Sequence, residues 1–267
     1  MTNVAIGSLG TIGLRVAKRL DDGIDGLSLT AVSANNRDAA GKKTEGFKQP
    51  PKVVALGELA AHADIVVECA PAAVFREIAE PVIDAGKKFM PLSVGALLSH
   101  WDLVDRAAQT GAKILVPSGA LLGLDAVRAA KEGQFKRVSM VTRKPPAGLV
   151  GAPHLVDNNI SIDNLSEPKL VFEGSARDGA RGFPANVNVA AALSLAGPGP
   201  DETSLQIWAD PTLERNTHRI KVEADSASFE MQMYSIPTTE KPATGRIVAL
   251  SVIASLRAQV SPLVIGA

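Results

Sequence analysis

Apolar and polar residues alternate along the first half of the chain, so that short apolar runs are followed by amphipathic stretches. The apolar runs predict strands, and the stretches with apolar residues every three or four positions predict helices. The predicted strands lie at 4–6, 27–34, 53–56, 64–69, 88–93 and 113–116, and the predicted helices begin at 12, 58, 72 and 101. Strands that alternate with helices indicate right-handed crossovers and a parallel sheet.

The second half has a different pattern, in which several strands follow one another with few helices between them. Strands are predicted at 137–143, 170–174, 203–209, 218–224 and 228–235, and helices at 124–131 and 183–195. This order is typical of a mixed sheet with helices on one side, an α+β arrangement. A last helical pattern, at 245–260, is expected to pack back on the N-terminal domain.

The two halves together predict a two-domain protein of the α/β class. A Rossmann-type dinucleotide domain is expected at about 1–120, with the C-terminal segment 241–267 packed against it. An α+β substrate domain with a mixed sheet is expected at 121–240. At 267 residues the chain is long enough for two domains that each bury a core.

Three glycines, Gly7, Gly10 and Gly13, stand at every third position between the first predicted strand and the first predicted helix. In such a turn backbone N–H groups can approach a pyrophosphate, which the positive end of the helix also favours. The spacing differs from the commoner G-x-G-x-x-G, and the alternative is a turn that needs small residues only for packing. We favour dinucleotide binding. The expected contacts are with Gly7, Leu9, Gly10, Thr11 and Ile12.

The second predicted strand is followed by Asn35, Asn36 and Arg37, where a site selective for NAD usually carries Asp or Glu. A guanidinium at this point can pair with a 2′-phosphate, so these residues predict that NADP is accepted. The alternative is a loop arginine in solvent. At the end of the fourth strand, Cys69 and Ala70 are small enough to line the same cofactor site.

The charge and composition of the chain narrow the classes of partner. Lys and Arg total 28 and Asp and Glu total 28, so the chain carries no net charge. A neutral chain lacks the electrostatic footprint of a nucleic-acid-binding or membrane-surface protein, so we expect neither partner. One cysteine, and no pair of histidines at metal-ligand spacing, predict no metal site. Neither a signal peptide nor a membrane-spanning run is expected, which favours the cytoplasm.

Polar residues in the second half offer candidates for recognition and catalysis. Asn186 and Asn188 flank a predicted helix start, where an amide can recognise a carboxamide or a carboxylate. The alternative is helix capping, which would explain one of the two. Residue type alone does not select a catalytic histidine among the four present, which are His62, His100, His154 and His218.

Eight segments, in this order along the chain, resemble the L-aspartate dehydrogenase family. They are 7–13, 68–70, 93–97, 117–120 with 123–125, 142–146, 172–176, 183–190, and 209–211 through 216–218. The resemblance covers nearly the whole chain. The glycine turn and the two-domain plan are also similar to those of dihydrodipicolinate reductase.

The resemblance implies an enzyme that oxidises L-aspartate with NAD or NADP. Iminosuccinate forms first and is hydrolysed to oxaloacetate and ammonia, and the reaction is reversible. By the same resemblance His218 is the catalytic residue. Ala120 and one of the pair Asn186 and Asn188 would contact the cofactor. The family usually forms homodimers, so a substrate and dimerisation role is implied for the second domain.

The implied chemistry adds candidates for substrate binding. A histidine with the ordinary pKa of about 6.5 can take a proton from the amine or from water near neutral pH. The two substrate carboxylates need cationic or N–H partners. The candidates are Ser118, Gly119, Arg143 and Lys144. For the last two the alternative is a solvated strand end.

The chain departs from the family pattern in two places. At 240–246 the family tends to have an Asn-Pro-Lys-Thr type segment before the last helix, and at 234–237 an asparagine before the proline would be more usual. A related oxidoreductase that acts on another amino acid, an imine or a dicarboxylate therefore stays an alternative. A third hypothesis is a dinucleotide-binding sensor without turnover, and the presence of His218, Asn186 and Asn188 argues against it.

Overall fold

The computed structural model describes residues 1–184, 186–241 and 244–266. The chain forms two compact units. The first consists of Met1–Pro117 and Val248–Ile265, and the second of Ser118–Ile247 together with Gly266. Within the described ranges no helix has the length and apolar character needed to cross a membrane. The assignment of cofactor binding to 1–120 and of substrate binding to 121–240 stays a prediction.

A six-stranded parallel sheet forms the centre of the first unit. Its strands are β1 (Thr2–Gly7), β2 (Leu27–Ser33), β3 (Lys52–Val53), β4 (Ile65–Glu68), β5 (Lys88–Pro91) and β6 (Lys113–Ile114). The spatial order is β3-β2-β1-β4-β5-β6, and every neighbouring pair is parallel. The carboxyl ends of the strands therefore share one edge, which is where ligands bind in doubly wound sheets.

Helices connect these strands. They are α1 (Thr11–Asp22), α2 (Arg37–Thr44), α3 (Phe75–Asp84), α4 (Val94–Ser99) and α5 (Asp102–Thr110), with 3-10 segments at Leu56–His62 and Ala72–Val74. Ile6, Val16, Val32 and Val67 are completely buried and form part of one apolar core. The amphipathic pattern of α1 buries Val16 and leaves Arg15 in solvent, because residues on opposite sides of a helix face different surroundings.

A five-stranded mixed sheet forms the centre of the second unit. The strands of this sheet are β7 (Phe135–Lys144), β8 (Lys169–Ser175), β9 (Thr203–Ala209), β10 (Thr217–Ala224) and β11 (Ser228–Tyr234). The helices of this unit are α6 (Leu124–Lys131), α7 (Pro153–Asp157), α8 (Ala176–Gly182) and α9 (Asn188–Ala196). The order is β11-β10-β7-β9-β8. Among the described strand pairs of this second sheet, only β7 and β9 are parallel. The predicted fold class is confirmed.

The two faces of this second sheet differ in burial. Val138 and Met140 of β7 are buried on the same face as Leu205 of β9, which α8 contacts at Gly179. The opposite face carries half-buried Trp208 and other side chains that solvent reaches. Strand residues alternate between faces, so the direction of each site residue follows from its position along its strand.

The last helix, α10 (Ile247–Ala258), contributes to the core of the first unit. Ala249, Val252 and Leu256 are buried in the same apolar cluster as Ile6 and Val16. The helix α10 thus completes a core whose other buried members lie between Val4 and Met90. Of the predicted segment 241–267, residues 242, 243 and 267 lie outside the described part.

Two stretches of the first unit differ from the prediction. No helix is predicted between the strands at 27–34 and 53–56, but α2 forms there, because Asn36 caps it and Asp38 lies in its first turn. The strand predicted at 53–56 ends at Val53. Glu58 accepts a hydrogen bond from the Ala55 N–H at 2.8 Å, which starts a 3-10 turn instead.

The second unit contains a related difference. The helix predicted at 183–195 begins at Asn188, and residue 185 lies outside the described part. Pro184 disfavours helical backbone at Phe183, whose ring instead packs against Phe172 at 5.6 Å between centroids. The short helices α4, α7 and α8 were not predicted, because five to seven residues are too few to show a helical period.

Candidate active site

The glycine turn after β1 is built on a close backbone contact. A Cβ at Gly13 would lie 2.0 Å from the carbonyl oxygen of Ser8, so only glycine lets α1 pack this close to the turn. Ser8 has a φ of +94°, a left-handed backbone that costs energy in a residue other than glycine. Strain of this kind is concentrated at ligand sites, which supports a binding role for the turn.

The N-terminus of α1 is the part of the turn that fits an anion. Gly10 is its N-cap, and no described side chain accepts hydrogen bonds from the first turn, which contains Thr11 and Ile12. A Cβ at Gly10 would meet no described atom within 4 Å, so the backbone is open here. Free N–H groups at the positive end of a helix suit a pyrophosphate. Lys43 Nζ donates to the Leu9 carbonyl oxygen at 2.9 Å and steadies the turn.

The carboxyl end of β2 presents Asn35, Asn36 and Arg37, all exposed. Asn36 Oδ1 accepts a hydrogen bond from the Ala39 N–H at 2.9 Å, so this side chain caps α2. Arg37 is the first charged residue after the strand. Because β2 lies next to β1, these side chains follow the strand that neighbours the glycine turn.

Cys69 and Ala70 follow β4 on the other side of β1. The Cys69 N–H donates to the Gly7 carbonyl oxygen at 3.0 Å, which ties the chain after β4 to the end of β1. Burial, and secondly the neighbouring Glu68 carboxylate, raise the pKa of the Cys69 thiol. The thiol therefore stays protonated at neutral pH, which favours a lining role over that of a nucleophile.

Glu68 is a buried polar residue beside Cys69 that is not among the contacts predicted from the sequence. Its side chain is completely buried at the end of β4 and accepts hydrogen bonds from Ala70, Leu92 and Ser93. Burial raises the pKa of this carboxyl, and these hydrogen bonds oppose the rise. The available signal was an acidic residue inside an otherwise apolar strand, since ionised side chains are rarely buried.

In the second unit, Thr142, Lys144 and His218 share the buried face of the sheet. Thr142 and Lys144 are two positions apart on β7, and Thr142 lies opposite His218 on β10. The Thr142 hydroxyl and His218 Nδ1 are 3.1 Å apart and share a hydrogen bond. Lys144 Nζ donates to Asn186 Oδ1 at 2.7 Å. The structure thus brings together three of the predicted residues, Lys144, Asn186 and His218.

Burial controls the charges of this cluster. Burial, with a smaller contribution from the charge of Lys144, lowers the pKa of His218 to about 3, so its imidazole is neutral at neutral pH. Burial lowers the pKa of Lys144 to about 8, so this side chain is still mostly an ammonium. No described carboxylate pairs with Lys144, and Asn186 is neutral. An ammonium held in this way is suited to bind an anionic ligand.

Arg143 lies apart from this cluster, although it precedes Lys144 in the chain. It is placed on the opposite face of the sheet, with its guanidinium 5.5 Å from the centre of the Trp208 ring. Its Nε lies 3.1 Å from Oδ2 of the buried Asp210. Asp210 supplies the counter-charge that Lys144 lacks, so Arg143 fits a structural ion pair better than a substrate contact.

The remaining predicted residues lie in a turn or at the start of a helix. Ser118, Gly119 and Ala120 are half-buried in a turn that the Leu121 N–H closes by donating to the Ser118 carbonyl oxygen at 3.0 Å. Gly119 has a φ of +63°, which favours glycine at this position. Asn188 is half-buried at the first position of α9. The side chain of Asn186 contacts Lys144 rather than capping α9.

The other three histidines do not have the surroundings of His218. His154 packs against Phe172 and Phe183, with centroids 5.2 and 5.4 Å away. His100 is stacked on Phe75 at 5.8 Å. His62 is half-buried in a 3-10 segment. His218 is therefore the histidine that combines burial, a neighbouring cation and a polar partner.

Comparison with known proteins first defines the class. Residues 9–117 match the family model described as "Homoserine dehydrogenase, NAD binding domain". Together with the doubly wound sheet and the glycine turn, this match defines a dehydrogenase that binds a nicotinamide cofactor. Residues 125–259 match the model described as "Aspartate dehydrogenase, C-terminal".

Relatives place the chain within this class. It is 55% identical over 263 residues to the L-aspartate dehydrogenase of Bradyrhizobium diazoefficiens, covering 98% of this chain and 93% of the relative. It is 53% identical to L-aspartate dehydrogenase 3 of Bordetella bronchiseptica, covering 98% and 97%. The crystal structure of aspartate dehydrogenase from Thermotoga maritima shares the fold, with a TM-score of 0.74, 22% identity and 99% of each chain covered. The chain belongs to the L-aspartate dehydrogenase family.

Lys144→Met should stabilise the protein at pH 7, because it removes a buried charge that has no counter-charge. The lysine is charged in the folded and the unfolded chain below its folded pKa of about 8, so the cost of burying the charge is fully present there. That cost fades as the pH rises from 8 towards 10.5. We expect a gain of up to about 3 kcal/mol in unfolding free energy at pH 7, measured by urea denaturation, and a smaller gain at pH 9.5.

Lys136→Met is the matched control, since Lys136 is exposed on the same strand. Its effect should stay within about 0.5 kcal/mol at both pH values. A Lys144→Met variant that is less stable than the wild type at pH 7 would show that the ammonium is a net stabilising group.

Proposed function

We propose that this chain oxidises L-aspartate with NAD or NADP to oxaloacetate and ammonia, through iminosuccinate. The observation that carries the proposal is the buried pair of Lys144 and His218, a cation and a neutral base at one end of one sheet. The overall balance consumes L-aspartate, water and oxidised cofactor, and yields oxaloacetate, ammonium, reduced cofactor and a proton. Membership of the family supports this choice of substrate.

His218 is the proposed acid–base residue. A bound nicotinamide would accept the hydride that leaves the substrate Cα. The substrate ammonium must lose a proton before that step, and the water that attacks the imine carbon must lose one afterwards. A neutral imidazole can accept these protons. For Nε2 to act as the acceptor, Nδ1 must carry the hydrogen and donate it to Thr142 Oγ1. The hydroxyl can accept as well as donate, so the 3.1 Å contact accommodates this tautomer.

Lys144 is the proposed partner of a substrate carboxylate. The ammonium has three N–H donors, and the described structure gives it one acceptor, Asn186 Oδ1. A carboxylate would supply the missing counter-charge. Negative charge beside Lys144 would also offset one cause of the low pKa of His218. Substrate binding would therefore make His218 a stronger base when the reaction needs one.

L-aspartate should reduce the cofactor, as followed by absorbance at 340 nm. His218→Asn keeps a polar partner for Thr142 but removes the proton acceptor. We expect this variant to lose about 10²–10⁴-fold in kcat, with the cofactor Kd changed by less than about twofold. His62→Asn makes the same substitution at a half-buried histidine of the first unit and should keep wild-type turnover.

The alternative hypotheses predict different results in the same assay. Turnover of another amine without turnover of L-aspartate would keep the class and replace the substrate. Cofactor binding without turnover of any amine or keto acid would favour the sensor. Wild-type turnover in His218→Asn would remove the proposed acid–base role.

We propose further that NADP is accepted beside NAD. The support is that no acidic residue lies between Ser33 and Arg37 to hold a ribose 2′-hydroxyl, and that Arg37 is exposed there. Asn36 is used as a helix cap, which leaves Asn35 and Arg37 as the side chains available to a 2′-phosphate. A guanidinium matches the geometry of a phosphate.

Arg37→Ser is expected to raise the Kd for NADP by about tenfold and that for NAD by less than about twofold, measured by calorimetry. Arg15→Ser removes an exposed arginine from α1 in the same unit and serves as the control for net charge. An equal loss of affinity for both cofactors would contradict a role at the 2′-phosphate.

A homodimer is the proposed assembly, formed through the open face of the second sheet. Trp208 is half-buried and Leu170 exposed on that face, where they lie opposite each other on β9 and β8. The ion pair Arg219–Glu230 lies on the β10–β11 part of the same face. An apolar centre beside charged residues suits a self-complementary contact. A cytoplasmic location and the absence of nucleic-acid and membrane partners stay predictions from the sequence.

Sedimentation equilibrium should give about twice the chain mass of 27.8 kDa. Trp208→Glu would place a charge at the proposed contact twice and should shift the protein towards the monomer. Trp101→Glu, at an exposed tryptophan of the first unit, should leave the mass unchanged. A monomeric wild type at micromolar concentration would contradict the proposal.

A further inference from the structure

The buried carboxylate of Glu68 has no role in the chemistry proposed above. It is completely buried at the end of β4, and no described Lys, Arg or His forms an ion pair with it. Burying a carboxylate costs free energy, and a cation is the usual compensation. The compensation here comes from hydrogen bonds alone.

Each oxygen of Glu68 accepts two hydrogen bonds. Oε1 accepts from the Ala70 N–H at 2.8 Å and from the Ser93 hydroxyl at 3.1 Å. Oε2 accepts from the Ser93 N–H at 2.9 Å and from the Leu92 N–H at 3.2 Å. Three of these partners are backbone N–H groups, which can only donate, whereas the Ser93 hydroxyl can also accept and lies 3.3 Å from the Ala70 carbonyl oxygen. The carboxylate is the form that can accept from all four at once. This arrangement fits the ionised form.

The four donors belong to the segments that follow β4 and β5. Ala70 lies two residues after Glu68, and Leu92 and Ser93 come directly after β5, which ends at Pro91. The carboxylate therefore crosslinks the ends of two neighbouring strands. The Leu92 N–H is shared, since it also donates to the Glu68 carbonyl oxygen at 3.1 Å.

The position of Glu68 relates this crosslink to the cofactor. Gly7, where the glycine turn begins, is in register with Ser33 of β2 on one side and with Glu68 of β4 on the other. The residues proposed to select the adenosine phosphate follow β2. A dinucleotide that crosses the edge at the end of β1 must place its other half, the nicotinamide riboside, on the side of β4 and β5.

We propose that Glu68 is a positioning residue that shapes the nicotinamide side of the cofactor site and, through its negative charge, favours the oxidised cofactor over the reduced one. The oxidised nicotinamide ring is a cation and the reduced ring is neutral, so a fixed anion on this side discriminates between them. A group that only held the loops in shape would affect both forms alike. The inference requires a nicotinamide cofactor and does not depend on which amine is the substrate.

Glu68→Gln is the decisive variant, because it removes the charge and keeps the size. Dissociation constants are measured without substrate, by calorimetry for the oxidised cofactor and by fluorescence for the reduced one. We expect the Kd of the oxidised form to rise about tenfold more than that of the reduced form. An unchanged ratio of the two constants would overturn the proposal, even if both affinities fell.

Two controls separate charge from structure. Ser93→Ala removes one hydrogen bond to Glu68 and keeps its charge, so the two constants should change by the same factor. Glu77→Gln makes the same charge change at an exposed residue of α3 and should leave both constants unchanged. A shift of the ratio in Glu77→Gln would show that net charge alone is responsible, and would overturn the proposal.

Glu68→Asp keeps the test decisive if Glu68→Gln does not fold. Its shorter carboxylate retains the charge and no longer reaches all four donors. We expect both affinities to fall while their ratio stays at the wild-type value. Wild-type affinity for both forms would overturn the shaping role. Absence of L-aspartate turnover in the wild type would refute the proposed substrate and leave these binding measurements intact.

Discussion

A buried charge without a counter-charge is the constraint on which the arrangement of polar groups depends in each of the two units. Glu68 in the first and Lys144 in the second each stand at the end of a strand, buried, with no described ion-pair partner. They differ in how far hydrogen bonds replace the missing ion. Four donors surround the carboxylate, whereas one amide oxygen faces the ammonium. The protein's own donors thus solvate the Glu68 carboxylate, whereas the Lys144 ammonium retains N–H donors that an anionic ligand could use.

The ends of strands make both arrangements possible. Inside a sheet the backbone N–H groups are used by neighbouring strands. Beyond Pro91 the Ser93 N–H donates to a side chain, and the Leu92 N–H is shared between the carbonyl and the carboxylate of Glu68. The same change of surroundings occurs beyond Lys144, where Asn186 enters from a turn and not from the sheet. The strands hold the site residues in fixed positions, and the turns that follow the strands contribute backbone N–H groups and polar side chains. This division explains why function lies at the edge of a sheet rather than within it.

The sequence was sufficient for the fold class and for most elements, because apolar period and glycine spacing are local signals. The strand, turn and helix at the start of the chain are predicted from the apolar pattern and the spacing of Gly7, Gly10 and Gly13, and α6 and β9 have the bounds that their patterns predict. The helix α2 was not predicted, because Ala40 and Thr44 are its only buried residues and its apolar period is therefore weak. The contacts of Glu68 with Leu92 and Ser93, and the Lys144–Asn186 contact, were not predicted because the partners are 24 or more residues apart, and spacing along the chain does not encode such pairs.

Arg143 and Lys144 are neighbours on β7, and their positions along the strand give the two cations different surroundings. Alternation along β7 sends the guanidinium to the open face of the sheet and the ammonium to the buried one. An arginine keeps its charge wherever it lies, so it needs a partner such as Asp210, and with that partner it is committed to the structure. A lysine loses part of its hold on the proton when it is buried, so it can remain without a carboxylate until a ligand brings one. The residue with the adjustable charge therefore occupies the buried face beside His218, where a substrate carboxylate would change the protonation of both.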